Sequence, residues 1–314
     1  MKKYVVRRLL LLIPILFGIT FLSFAMMRIA GSDVVLQRAE ASGVTLTPEV
    51  IAAQRTELGL DQPFLVQYFR WLGGFLTGDL GTSYVSGNDV FETFLSKLPA
   101  TLLLTGTSVL LTVVISVPLG ILSAVKQNRL TDDLIRFCSF IGNSLPNFFV
   151  ALVLMYVFSI RFPVFTVNSS GVSLQSAALP TLTLAIAMSA KYLRQVRAAV
   201  LDELNKEYVT GARARGVRFS VTLWKSVLRA CLVTILTLLA LSVGSLLGGT
   251  AIVESIFMWD GVGKLAVDAI NMRDYPMIQA YVVWMALIYV IINLITDLSY
   301  RMLDPRIRLG GDAR

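Results

Sequence analysis

EYVTGARARGVRFS, residues 207–220, decides the reading of this chain. It is a basic, helix-forming island between two apolar stretches, each long enough to cross a bilayer. Arg213, Arg215 and Arg218 are expensive to leave in hydrocarbon, so the segment belongs at a membrane surface. Gly211, Ala212, Ala214 and Gly216 alternate with the charges and leave a face with little side-chain bulk. A short helix of that shape fits a groove on another protein. The plain alternative is a solvated positive loop, and the surrounding chain decides between them.

The composition is that of a membrane protein. Of 314 residues, 55% are hydrophobic and 15% charged, against about 25% charged in a soluble domain, and the mean hydropathy is +0.71. The first apolar run, Leu9–Met27, follows Lys2, Lys3, Arg7 and Arg8. It is longer than a signal-peptide core and is expected to be a retained first helix. Cys138 and Cys231 both fall near predicted helix ends, which argues against a disulfide framework. The chain has no histidine, so imidazole acid–base chemistry and imidazole metal ligation are excluded.

About twenty apolar residues cross a bilayer core. Six stretches qualify: Leu9–Met27, Thr101–Ala124, Phe140–Ile160, Ala178–Ser189, Cys231–Val253 and Met277–Asp297. The fourth is short and must extend toward Val196, with Lys191 and Arg194 snorkelling at the interface. Basic residues crowd the N-terminus, the second-to-third connection (Lys126, Arg129, Arg136), the segment Lys191–Arg229 and the tail (Arg301, Arg306, Arg308, Arg314). The positive-inside rule then places both termini in the cytoplasm. The net charge of +8 is thus a topology signal, which argues against a nucleic-acid partner. The expected fold is an all-α membrane protein of six transmembrane helices. Residues 1–27 form a cytoplasmic N-terminus and first helix, and 28–100 an extracytoplasmic segment with short helices. Residues 101–300 form a five-helix core with a cytoplasmic loop at about 198–229, and 301–314 a tail. Within 28–100, Thr-Pro-Glu at Thr47 starts a helix. Phe64, Tyr68, Trp71, Leu72 and Phe75 form an apolar face for the membrane interface or for neighbouring helices.

Other signals are local. Pro14, Pro118, Pro146 and Pro180 each lack an amide donor inside or at the end of a span, and kinks lining a cavity would satisfy the freed carbonyls. Asn147 beside Pro146 adds a polar group at membrane depth, and Glu254 at the end of the fifth span is either solvated or borders a substrate path. Asp297 is expected to pair with a nearby arginine. Gly244, Gly248 and Gly249 suit close helix packing. Met155, Met188 and Met285 fill apolar space or, less economically, offer a thioether metal path, which makes Met155 and Met188 path candidates beside Asn147 and Glu254. Gly261-Val262-Gly263-Lys264 lacks the Ser/Thr and upstream glycine of a phosphate loop and reads as a turn. No nucleophile–base pair or metal cluster is visible.

The helix–turn–helix around residues 198–229 resembles the permease subunits of ATP-driven (ABC) importers, in the dipeptide, oligopeptide and nickel branch. Thr210, Gly211, Ala212 and Gly216 match that family's E-A-A-x-x-x-G segment, although the leading Glu is absent. Further similar stretches are LGLDQP (58–63), GDLGTSY (78–84), LPATL (98–102), SLPNFF (144–149), GGTAIVESIFMWDGVGKL (248–265), RDYP (273–276) and LDPRIR (303–308). Asp260 departs from the proline usual before Gly-x-Gly. The resemblance implies a type I importer permease fold in the bacterial inner membrane. It implies a second homologous permease, two ATPase subunits that bind ATP and Mg²⁺, and an extracytoplasmic binding protein, with no cofactor on this chain. It assigns Thr210, Gly211, Ala212, Arg213, Arg215 and Gly216 to ATPase coupling, and a bulky residue at Gly216 is expected to uncouple hydrolysis from substrate. The chain is most similar to nickel permeases, which implies nickel as a chelate. Peptide import by the same machinery is the alternative. A secondary transporter of another class would want a mid-span carboxylate and inverted repeats, and neither is visible.

Overall fold

In a computed structural model, residues 2–29, 45–57, 59–165 and 172–303 are described, together with residues 35, 36, 39 and 43. The described chain is predominantly helical. Its helices are α1 (Lys2–Ile29), α2 (Pro48–Glu57), α3 (Phe64–Thr77), α4 (Val90–Val125), α5 (Leu130–Ser144) and α6 (Asn147–Met155). They continue as α7 (Leu174–Leu204), α8 (Glu207–Ala214), α9 (Phe219–Thr222), α10 (Leu228–Ile256), α11 (Val262–Asn271) and α12 (Tyr275–Leu303). Among the described residues, those within 1–100 and 260–290 form one compact unit, and those within 101–259 and 291–303 another.

The first unit is built on aromatic packing. The predicted face of α3 docks on α1 rather than on a lipid interface. Tyr68 is completely buried, with ring centroids 5.7 Å from Phe17, 5.3 Å from Phe21 and 5.6 Å from Phe24. Such edge contacts add about 0.5–1.5 kcal/mol each beyond area burial. The Tyr68 hydroxyl, which has no water to meet there, pairs with Thr20 Oγ1 at 2.9 Å. Gly78 closes α3 at φ +86°, and the Asp79 N–H bonds back to the Gly74 carbonyl at 2.9 Å, as left-handed helix ends require. A second cluster joins Leu80, Val90, Ala269, Met277 and Ala280. Asp274, nearly buried, accepts the Ser83 hydroxyl and, at 3.0 Å, the Tyr84 N–H. That carboxylate ties the turn before α12 to the loop before α4. Lys97 pairs with Asp260 at 2.5 Å. Gly261 and Lys264 form the start of α11 rather than an isolated turn, and Lys264 pairs one helical turn on with Asp268.

The second unit centres on α7, which packs against α5, α6 and α10. Its Ser173 and Ser176 exchange hydrogen bonds in a capping box. Close approach is set by small residues: a Cβ on Gly120 would lie 2.8 Å from a Val196 methyl and 3.0 Å from the Leu193 carbonyl oxygen, and one on Gly142 would lie 3.0 Å from the Ala190 Cβ. The core gathers Ala124, Tyr192, Val196, Val200, Val209, Val227, Cys231 and Ile235, and the Tyr192 hydroxyl donates to the Ile235 carbonyl. Pro146 breaks α5 from α6 with a bend of 99°. Leu145 before it is forced to extended φ −82°, ψ 131°. Pro14 and Pro180, by contrast, lie inside continuous helices.

Among the described residues, three helices are long and apolar enough to cross a membrane, within Val90–Val125, Phe219–Ala240 and Tyr275–Ile295; the bent pair of α5 and α6 makes a fourth if counted as one span. Ile13–Ile29 is a shorter apolar helix. The fourth predicted stretch does form a helix, within α7, but α7 is polar enough to fall outside that group. Its buried residues include Thr181, Thr183 and Ser189, so these polar side chains face protein.

Candidate functional site

The basic island folds as a small helical platform in the second unit. α7 ends at Leu204, and Lys206 in extended backbone starts α8. Val209 and Ala212, three apart and so on one face, are buried, with Val209 in the core beside Val200, Leu223 and Val227. Ala212 therefore packs inward instead of joining an open docking face. Thr210, Arg213, Ala214 and Arg215 are exposed and Gly211 is half-buried. Gly216 turns the chain at φ +74°. Its N–H reaches the Arg213 carbonyl at 2.9 Å and the Val217 N–H reaches the Ala212 carbonyl at 3.1 Å. Its role is a left-handed helix end, while a Cβ there would meet open space.

The platform is pinned at both sides. The Arg213 guanidinium lies 5.3 Å from the Phe219 ring centroid. The Tyr208 hydroxyl donates to Glu203 at 3.0 Å; burial and that neighbouring carboxylate push its pKa up to about 12, so it stays a donor. Leu223–Val227 is π-helical, a local rewinding found often at functional sites. Nearby, Arg197 grips Asp132 through two hydrogen bonds of 2.8 and 2.7 Å, and Ser123 donates to the same carboxylate. Asp132 precedes the apolar stretch Phe140–Ile160 and is completely buried. The Arg197 guanidinium holds its carboxyl well below the usual carboxylate range, against the opposing effect of burial.

The predicted path residues are not brought together by any described hydrogen bond. Glu254 on α10 is completely buried, not solvated, and accepts the Thr101 hydroxyl at 2.8 Å. Asn147 is exposed at the start of α6, directly after the bend at Pro146. Met155 ends α6 where a π-helical stretch, Tyr156–Arg161, begins, and Met188 and Met285 are half-buried on α7 and α12. Gly244, Gly248 and Gly249 lie in α10, although what surrounds Gly248 and Gly249 falls outside the described residues. So do the Asp297 side chain and residues 304–308 of LDPRIR. Among the described residues no three of Cys, Asp and Glu gather as a metal site.

Sequence reasoning missed a buried hydroxyl row on α4. Thr101, Thr105, Ser108, Thr112 and Ser116 are each at most 6% exposed and recur every three or four residues. That spacing was visible in the sequence, and hydroxyls so placed bring helices together in lipid.

Residues 116–309 match the family model "Binding-protein-dependent transport system inner membrane component", and residues 1–105 match the N-terminal model of the same systems. The chain is 40% identical to the oligopeptide transport system permease protein AppB of Bacillus subtilis, covering 98% of this chain and 99% of that protein. It is 38% identical to the glutathione transport system permease protein GsiC of Salmonella paratyphi A (98% and 99% covered). It is 33% identical to the metal-staphylopine import system permease protein CntB of Staphylococcus aureus (99% and 100%). In fold it is similar to an amino acid ABC transporter (TM-score 0.56, 18% identity, 67% of this chain and 94% of that one). The MetNI methionine ABC transporter in an inward-facing conformation is similar too (TM-score 0.56, 16% identity, 68% and 96%).

Proposed function

Because this chain belongs to the family of binding-protein-dependent transport system inner membrane components, we propose that it forms, with a second homologous permease, the translocation path of an ABC importer for short peptides and peptide-like metal chelates. Both termini and residues 198–229 face the cytoplasm, and residues 28–100 face outward, where a binding protein delivers cargo. Two separate ATPase subunits hydrolyse ATP. Differential ATP binding to the inward- and outward-facing states supplies the free energy of the cycle.

One observation carries the coupling role. α8 locks Val209 and Ala212 into the core and leaves Thr210, Arg213, Ala214 and Arg215 exposed. A helix held so firmly moves as one piece with α7 and α10, so a push on its outer face reaches the bundle. Cargo class is supported by relatives whose names run from oligopeptide and glutathione to metal-staphylopine. Nickel enters this reading as a chelate, since the chain supplies no imidazole.

The test is cellular accumulation of radiolabelled tripeptide and of radioactive nickel, with and without this gene. Loss of ATP-dependent tripeptide uptake on deletion is expected. Unchanged peptide uptake, with nickel accumulation lost and indifferent to excess dipeptide, would instead make nickel the cargo. An ion-gradient transporter would keep working without the ATPase and stop with a protonophore.

A further inference from the structure

The first unit holds a cavity of about 510 Å³, within the size of small-ligand sites. Its lining carries both signs of charge: Arg28 and Arg70, Glu57 and Asp79. Among the described residues no ion pair joins these arginines to these acids. Arg70, exposed at the rim, lies close to the bare backbone of Gly59. Gly59 sits at φ +66°, and a Cβ there would come within 2.4 Å of Arg70 Nη1, so a larger residue would evict the guanidinium. Two amides, Gln67 and Gln279, line the same cavity. Gln279 is 6% exposed, and its Nε2 has no partner among the described residues. Gln67 gives its Nε2 to the Leu60 and Gln62 carbonyls at 3.1 and 2.7 Å and leaves Oε1 buried and unpartnered. Buried amide groups without partners are costly unless something supplies the missing bond.

We infer that this cavity binds a zwitterionic, amino-acid-derived ligand of short-peptide size. Its carboxylate is taken by the guanidiniums of Arg28 and Arg70 and by the amide of Gln279. Its ammonium is taken by Glu57, Asp79 and the open Gln67 oxygen. Guanidinium suits the carboxylate because its donors form a planar fork. A cavity carrying both signs discriminates against singly charged and neutral solutes, because each would leave one set of charges without a counterpart. The inference deepens the peptide-import reading and rests on it for placing this unit on the side where cargo arrives.

The full-length chain in lipid nanodiscs, without ATP, is titrated calorimetrically with trialanine, trialanine amide and N-acetyltrialanine. Saturable binding of trialanine is expected, weakened about tenfold or more by either cap. Arg70→Gln, at the exposed rim, weakens it similarly, and so does Gln279→Leu. Equal binding of the capped peptides, or no saturable binding of trialanine, would overturn the assignment, and neither result depends on how the variants fold. Uptake is measured separately, so a failed import reading would show as peptide uptake unchanged by deletion of the gene, with trialanine binding retained.

Discussion

Removing the carboxylate of Asp132 leaves Arg197 facing the protein interior without its counter-charge. Breaking a buried pair in this way costs about 3–5 kcal/mol, and Asp132→Asn should lower unfolding stability in detergent by an amount of that order. Because the folded pKa is depressed, the pair's contribution is fully present above the unfolded carboxylate value of about 4. It is lost only as pH falls toward the lower folded value. Wild-type stability should therefore show no loss from this pair between pH 7 and 5, and the variant's deficit should shrink only in stronger acid. A constant deficit into strong acid would contradict the ion-pair origin. Gly120 and Gly106 make a second test, with opposite signs. Gly120→Ala drives a Cβ into Val196 and the Leu193 carbonyl and should destabilise by about 1–3 kcal/mol. Gly106→Ala meets nothing within 4 Å and should stabilise by about 0.5–1 kcal/mol. Equal effects in thermal unfolding would contradict the close α4–α7 packing. Neither Gly120–Val196 nor Asp132–Arg197 was legible in one sequence, because residues so far apart in the chain leave no local pattern.

Elements were more legible, wherever periodicity or a backbone constraint acts within a few residues. The helical spacing of Phe64, Tyr68, Trp71 and Phe75 fixed the apolar face of α3; whether that face met lipid or α1 depended on Phe17, Phe21 and Phe24, one helix away. Pro146 marked a true break because Leu145 is pushed into extended backbone. The chain before Pro180 stays helical, so proline alone did not say which spans bend. α7 is the weakest apolar stretch for a physical reason: a helix packed against other helices can carry Thr181, Thr183 and Ser189 inside. In α8 the small residues marked a short helix but not its orientation. Apolar Val209 draws Ala212 inward with it, and Gly216 serves the turn. Gly216→Trp would strain a left-handed backbone as well as block a groove. Thr210→Trp is the cleaner probe, and it should leave the fold unchanged while abolishing the stimulation of ATP hydrolysis by loaded binding protein. Normal stimulation would remove Thr210 from the docking face.

Across the whole molecule, charge and hydropathy pointed to a membrane protein, and the motif resemblance to an importer permease, before any contact was known. Its long-range chemistry was hidden: Glu254 held by Thr101, Asp274 gripping the loop at Ser83, and a two-signed cavity in the first unit. These depend on side chains converging from distant helices. The claim that joins the parts is that the outer face of α8 meets the ATPase. A photo-crosslinking amino acid at Thr210, with Ser86 in the first unit as control, tests it in the assembled importer in native membranes. The expected result is a covalent product between Thr210 and an ATPase subunit, identified by mass spectrometry, and none from Ser86. An assembled complex that crosslinks to the ATPase equally from both positions, or from neither, would contradict it.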